Sequence, residues 1–213
     1  MSKGFAEHKT SDQPVKLDPA RTAILVVDMV NDFCTPGGAM VLAGAERLYG
    51  PQNAVTRAAR TSGAHVVHIV DTHRPNLVCD REFLKRTPHC MEGEWGSEVV
   101  AEIEREAQDF TVVKRRFSGF FNTDLDLTLR DLRADTVIVM GVVTNICVRS
   151  TVHDAFFLGY RVIVPQDCVA ATGPREQASS LYDIATHFGV VSTSESVIAA
   201  LTTGSPVSVV ECE

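Results

Sequence analysis

The sequence predicts an α/β fold: a doubly wound, mainly parallel six-stranded sheet with helices on both faces. Three observations predict it. Apolar, β-branched runs of strand length recur along the chain, and several are apolar throughout, as strands buried on both faces are. Helical stretches separate these runs, and such alternation folds into a layered sandwich with right-handed crossovers. The 213 residues, 45% hydrophobic and 22% charged, are enough for one core without disulfide staples.

Taken in order, residues 1–19 read as a polar arm, mobile or draped on the domain, punctuated by Pro14 and Pro19. Residues 20–213 are read as a single domain. Strands are expected over 22–28, 65–71, 110–114, 136–141, 161–165 and 189–192. Helices are expected over about 43–62, 96–107, 124–133, 145–158, 174–188 and 194–202. The 145–158 helix opens beside Thr144 and Asn145, both good N-caps. It closes at Gly159, suited to the left-handed turn that ends helices. Two loops, 31–38 and 72–96, break the rhythm. Both follow strand carboxyl ends, where open α/β sheets place their sites.

Composition excludes several function classes. Twenty Lys+Arg against 27 Asp+Glu leave a formal charge of −7, which disfavours nucleic acid and anionic membrane as partners. The longest apolar runs, 23–27 and 137–143, fall far short of the roughly 20 residues a bilayer span needs. The polar N-terminus has no leader pattern, so a cytoplasmic setting with reduced cysteines is expected. Neither G-x-G-x-x-G nor a P-loop occurs, so no nucleotide cofactor is expected. G-x-S-x-G, H-E-x-x-H and C-x-x-C are missing as well.

Candidate reactive groups stand at strand ends instead. Asp28 ends the first strand and Lys114 the third, while Cys147 lies just inside the helix after the fourth. Each alone has a plain structural reading: a cysteine in an apolar helix is usually core, a strand-end Asp caps a turn, and a strand-end Lys is solvated. Three on one rim make coherent chemistry. The helix dipole and an ammonium favour a thiolate, a carboxylate moves the proton, and backbone N–H groups hold an oxyanion. At the second loop, Asp71 and His73 lie on one side of an extended segment and Glu82 and His89 offer a carboxylate and an imidazole to close a metal site, although loop histidines are more often simply solvated. Phe33, Phe120 and Phe121 are read either as pocket-lining or as ordinary core aromatics.

The strings VVDMVNDF, VVKRRFSGFFNTDLDLTLR and GVVTNICVRSTVHDAFFLGYRVIVPQDCVAA resemble the isochorismatase-like cysteine hydrolases. That resemblance implies a triad of Asp28 as base, Lys114 as electrostatic support and Cys147 as nucleophile. It also implies a cis peptide at Val142–Val143 that aims the Val143 amide at an oxyanion. Thr87-Pro88-His89 resembles a nicotinamidase string, and the spacing of Glu82 fits one nicotinamidase subset. The implied metal set is therefore Asp71, His73, Glu82 and His89, with zinc first and manganese or iron next. Phe33 matches a position that packs on substrate. Arg86 stands where nicotinamidases place a ring-stacking aromatic, a departure that offers a carboxylate a fork if it points inward and leaves nicotinamide ahead if it points to solvent, as a loop arginine more often does.

The implied activity is hydrolysis of a small-molecule amide with release of ammonia, nicotinamide being the first choice. The alternative is a metal-independent carbamoyl or ureido amidohydrolase of the N-carbamoylsarcosine, ureidoacrylate or biuret type. Cys147 disfavours isochorismate ether cleavage, and an intact triad disfavours a non-catalytic binding domain on this fold. Relatives of this kind imply a homo-oligomer, dimer or tetramer.

Overall fold

The structure is a computed structural model that describes residues 14–212. Most of the proposed arm, 1–13, lies outside the described residues. Of its remainder, Val15 bridges Val207 and Leu17 joins the core.

Seven strands form one parallel sheet: β1 (Thr22–Val27), β2 (His65–Asp71), β3 (Phe110–Lys114), β4 (Thr136–Val142), β5 (Arg161–Pro165), β6 (Val169–Ala170) and β7 (Val190–Ser192). The order is β3-β2-β1-β4-β5-β7, with the two-residue β6 pairing with β4. The six expected strands form the main path. β6 escaped the sequence reading because two residues carry no period.

Alternate residues of β1 feed opposite cores. Ile24 and Val26 face helices α2 (Tyr49–Ser62) and α6 (Ser194–Thr203). Ala23, Leu25 and Val27 face the side of α3 (Leu125–Asp131), α4 (Arg149–Phe157) and α5 (Pro174–Asp183). Among the described residues, no helix is long and apolar enough to cross a membrane. A four-residue α1 (Asn31–Cys34) turns the first loop.

Two expectations are corrected. No helix forms over 96–107. Val99 bridges Val30, the Val100 N–H donates to Met29 O, and Val99, Val100 and Ile103 pack on the core. Side chains of α2 take the segment's backbone groups. Asn53 binds Glu102 O at 2.7 Å and Glu104 N at 3.0 Å, and Arg60 donates to Glu104 O at 3.0 Å. With Glu102 and Glu104 backbone groups satisfied by side chains and Val100 by Met29 O, the segment gains little from coiling.

Nor do Thr144 and Asn145 cap a helix. Val143 occupies the cap position without a side-chain bond, and the helix opens with a π turn, Thr144–Val148. Asn145 instead pairs with Thr172. The helix does end at Gly159, at φ 91°.

The register assembles the site. Asp71 lies opposite Lys114, Val27 beside both Ile69 and Gly141, so the ends of four neighbouring strands share one rim. The topology also reverses there, between β1 and β4. At Gly141, φ is 116° and an added Cβ would sit 2.0 Å from Val27 O. Only glycine lets β4 run so close to β1 beneath the site.

Candidate active site

Asp28 leaves β1 at φ 53°, a left-handed conformation that aspartate tolerates. Its N–H donates to Ile69 O and its carbonyl accepts from Val30 N, which fixes the turn. Lys114 is fully buried. Its ammonium lies 2.9 Å from Asp28 Oδ2, 3.2 Å from Asp71 Oδ1 and 3.8 Å from Cys147 Sγ. The Cys147 thiol, in the first turn after β4, interacts with the Asp28 carboxylate as well. The three side chains expected on one rim do meet.

Their electrostatics differ from expectation. Burial pushes the Cys147 thiol well above its ordinary range, and Lys114 does not offset it because that ammonium is shared with two carboxylates. The resting group is therefore a thiol, not the dipole-favoured thiolate. Burial also raises the Asp28 carboxyl to about 6, against the pull of Lys114. Burial alone would lower the Lys114 ammonium, but Asp28, Cys147 and Asp71 outweigh it and keep it charged. A thiol beside a carboxylate that is ionised at neutral pH is poised for proton transfer as the sulfur attacks. The Val142–Val143 peptide is cis, and Val143 lines the cavity next to Cys147.

Asp71, His73, Glu82 and His89 are all buried, each offering one ligand atom within 4.8 Å of the others. Asp71 Oδ2 lies 3.3 Å from His73 Nε2 and 3.6 Å from His89 Nε2. Both histidines are oriented from behind: His73 Nδ1 is 2.8 Å from Asp80 Oδ2, and His89 Nδ1 is 2.7 Å from Thr87 O. With Nδ1 donating to those acceptors, each Nε2 turns a lone pair toward the cluster, as a metal ligand does. His73 Nε2 and Glu82 Oε1 are buried without a hydrogen-bond partner. Buried polar atoms are seldom left so. The donor set fits a divalent cation.

A cavity of about 550 Å³ joins these groups, its wall including Cys147, Asp71, Glu82, His89, Phe33 and Arg86. Phe33 and Arg86, whose orientations the sequence left open, both line this cavity. Phe120 and Phe121 do not: Phe120 packs on Tyr160 at 5.9 Å and Phe121 is exposed. The turn after Ser118 carries both away, and Phe117 lines the cavity in their place.

Two acids were missed by the sequence reading. Asp80 orients His73, and a metal-facing histidine's need for a carboxylate behind it was the signal available. Asp32 accepts from the backbone N–H of Cys90 at 2.6 Å and of Ala39 at 2.9 Å, tying both loops together. Its carboxylate presses on Gly96, where a Cβ would lie 2.3 Å from Oδ2.

Residues 22–196 match the isochorismatase domain family. The chain is 32% identical to the ureidoacrylate amidohydrolase RutB of Acinetobacter baylyi, over 89% of this chain and 87% of that protein. Among solved structures it resembles N-carbamoylsarcosine amidase from Thermoplasma acidophilum, with 38% identity, TM-score 0.74, and 82% and 97% of the two chains covered. It also resembles the pyrazinamidase of Pyrococcus horikoshii in complex with zinc, with 28% identity, TM-score 0.76, and 81% and 99% covered. With the matched domain spanning nearly the whole described fold, this chain belongs to the isochorismatase family.

Proposed function

We propose that this protein hydrolyses the carbamoyl or ureido group of a small molecule through a covalent Cys147 intermediate. The chain is a hydrolase of amide C–N bonds; the likeness to RutB and to N-carbamoylsarcosine amidase favours the ureido and carbamoyl class over nicotinamide. The observation that carries the reading is Arg86 on the wall of the Cys147 cavity. Arg86 occupies the position at which the resemblance to nicotinamidases implies a ring-stacking aromatic.

In the first half-reaction the Cys147 sulfur attacks the carbonyl carbon while Asp28 takes the thiol proton. The Val143 and Cys147 amides stabilise the oxyanion, and the lysine charge offsets the negative charge that builds on the sulfur. The tetrahedral adduct collapses, the C–N bond breaks, and Asp28 passes its proton to the departing ammonia. Asp28 then deprotonates a water that attacks the thioester-like carbonyl. The C–S bond breaks and the proton returns to Cys147. A ureido substrate leaves as a carbamate, which loses carbon dioxide to give an amine.

The test is ammonia release across ureidoacrylate, N-carbamoylsarcosine, biuret, nicotinamide and pyrazinamide. Turnover of the first three well ahead of the pyridine and pyrazine amides is expected. The reverse order overturns the reading. Asp28 also sets the pH dependence. An acid works as a base only when ionised, so kcat/KM should fall tenfold per pH unit below about 6 and level off above it. A profile flat to pH 4.5 would remove Asp28 from the role.

Asp71, His73, Glu82 and His89 are the residues to hold a divalent cation, zinc first. A cation there supplies a Lewis acid that anchors the substrate, since Cys147 already provides the nucleophile. Elemental analysis should find near-stoichiometric metal, lost in His73→Ala and His89→Ala. Metal-free protein of full activity would contradict this assignment.

A further inference from the structure

Cys90 follows the candidate ligand His89 and is fully buried, yet its φ is 48°, in the left-handed region. A residue other than glycine keeps that conformation only where its surroundings impose it. Its peptide groups show what does so. The Cys90 N–H donates to Asp32 Oδ2 at 2.6 Å, and the Cys90 carbonyl accepts from His73 N at 2.8 Å. Glu92 N in turn donates to His73 O at 2.9 Å. The turn after His89 is thus pinned to the other candidate histidine by its backbone and to Asp32 by a side chain.

Asp32 serves a second segment as well. Its Oδ1 accepts from Ala39 N and its carbonyl from Met40 N, both at 2.9 Å, while Phe33 O accepts from Leu42 N at 2.8 Å. Met40, Val41 and Leu42 line the Cys147 cavity. The Phe33 ring packs on the His89 imidazole, with centroids 5.4 Å apart. Asp32 is buried, and among the described residues its carboxylate makes no ion pair, only these two bonds to backbone N–H groups of separate loops. Burying a carboxylate on neutral donors is costly, and N–H bonds to a carboxylate are roughly twice as strong as those to a neutral acceptor. Gly96 completes the seat, since a Cβ there would overlap the Asp32 carboxylate.

We infer that Asp32 is a positioning residue for the cation site: its carboxylate locks the Cys90 turn that aims His89 at Asp71, and ties that turn to the 39–42 wall of the cavity. The inference rests on the assignment of Asp71, His73, Glu82 and His89 to a cation, and adds a residue outside that set. Without the carboxylate, residue 90 relaxes into ordinary backbone conformations. The imidazole one residue earlier then turns away from Asp71 Oδ2, which lies 3.6 Å from its Nε2. Asp80 and Thr87 orient the two rings from behind, whereas Asp32 holds the main chain that carries one of them. A brace for the fold alone would leave cation affinity unchanged.

The test is zinc affinity, measured by chelator competition on the metal-stripped full chain. It compares wild type, Asp32→Asn, Asp32→Ala, Gly96→Ala and the Asp32→Ala, Gly96→Ala double variant, with His89→Ala to mark zinc bound elsewhere. Asp32→Ala should weaken zinc binding roughly ten- to a hundredfold, the scale for groups that orient a metal ligand from outside. Asp32→Asn, which keeps one acceptor, should fall between. Gly96→Ala should weaken zinc too, because it drives the carboxylate from its seat with the acid intact. In the double variant that methyl enters vacated space, so the two losses should not add. The visible spectrum of cobalt-loaded protein should change in the same variants, since ligand geometry sets those bands. If Asp32→Ala does not fold, Asp32→Asn and Gly96→Ala carry the test. Wild-type zinc affinity in both of these, or additive losses in the double variant, overturns the inference. Wild type without His89-dependent zinc overturns the cation assignment and this inference together. Zinc binding needs no turnover, so the expected losses in a protein that hydrolyses no ureido compound would leave Asp32 in its role and the reaction wrong.

Discussion

Replacing Cys147 with alanine is expected to lower kcat by about 10⁴- to 10⁶-fold, the scale seen when a nucleophile is removed from a cooperating set. Cys147 brings a thiol, the most nucleophilic side-chain type, to the cavity wall beside Val143 of the cis peptide. Asp28 and Lys114 are respectively a base and a cation, and neither is placed as a nucleophile. Stability should change little, because the substitution removes a single sulfur from a wall that already borders the cavity. Circular dichroism and a thermal melt against wild type separate the two effects. Asp28→Asn should be nearly as damaging to kcat, since an amide cannot accept the thiol proton.

Lys114→Met is expected to cost both activity and fold. The ammonium lies between Asp28 and Asp71, at 2.9 and 3.2 Å, with no exposed surface of its own. A methionine of similar volume keeps the packing but leaves two carboxylates facing each other in a dry interior. Removing one partner from a buried ion pair costs about 3–5 kcal/mol. Asp28 would answer by taking up a proton, and so would cease to be a base at neutral pH. Denaturant unfolding should show the loss of stability, with kcat falling by at least about 10²-fold. A variant as stable as wild type would mean that the lysine is not the counter-charge holding this rim together.

Much of this was legible in the sequence, for identifiable reasons. Runs apolar at every position, such as Ala23 to Val27, read as strands covered on both faces, and the carboxyl ends of neighbouring strands then share a rim. Asp28, Lys114 and Cys147 would meet there only if their strands are neighbours, which the family resemblance, not the spacing, implied. The 72–96 loop supplies three of the four cation donors, His73, Glu82 and His89, and the end of β2 supplies Asp71 just before it. What failed depended on tertiary partners. The 96–107 stretch has a helical look, but Asn53 and Arg60 take its backbone groups and no local pattern reports that. The thiolate was inferred from the helix dipole and one ammonium, without weighing burial and the two carboxylates that share that ammonium. Phe120 and Phe121 differ from Phe117 by one turn of chain, a distinction below what spacing resolves. The sequence reading also set a metal-binding nicotinamidase against a metal-free ureido hydrolase. Here four residues that could hold a cation and a guanidinium on the cavity wall occur in one chain.

The covalent intermediate tests the central claim most directly. Wild type mixed with a ureido or carbamoyl substrate, acid-quenched within one turnover and read by intact and peptide mass spectrometry, should carry the acyl part of the substrate on Cys147, formed together with one equivalent of ammonia. Cys147→Ala should carry none. Full turnover with no adduct at any quench time, or with the adduct on a different cysteine, would contradict the account.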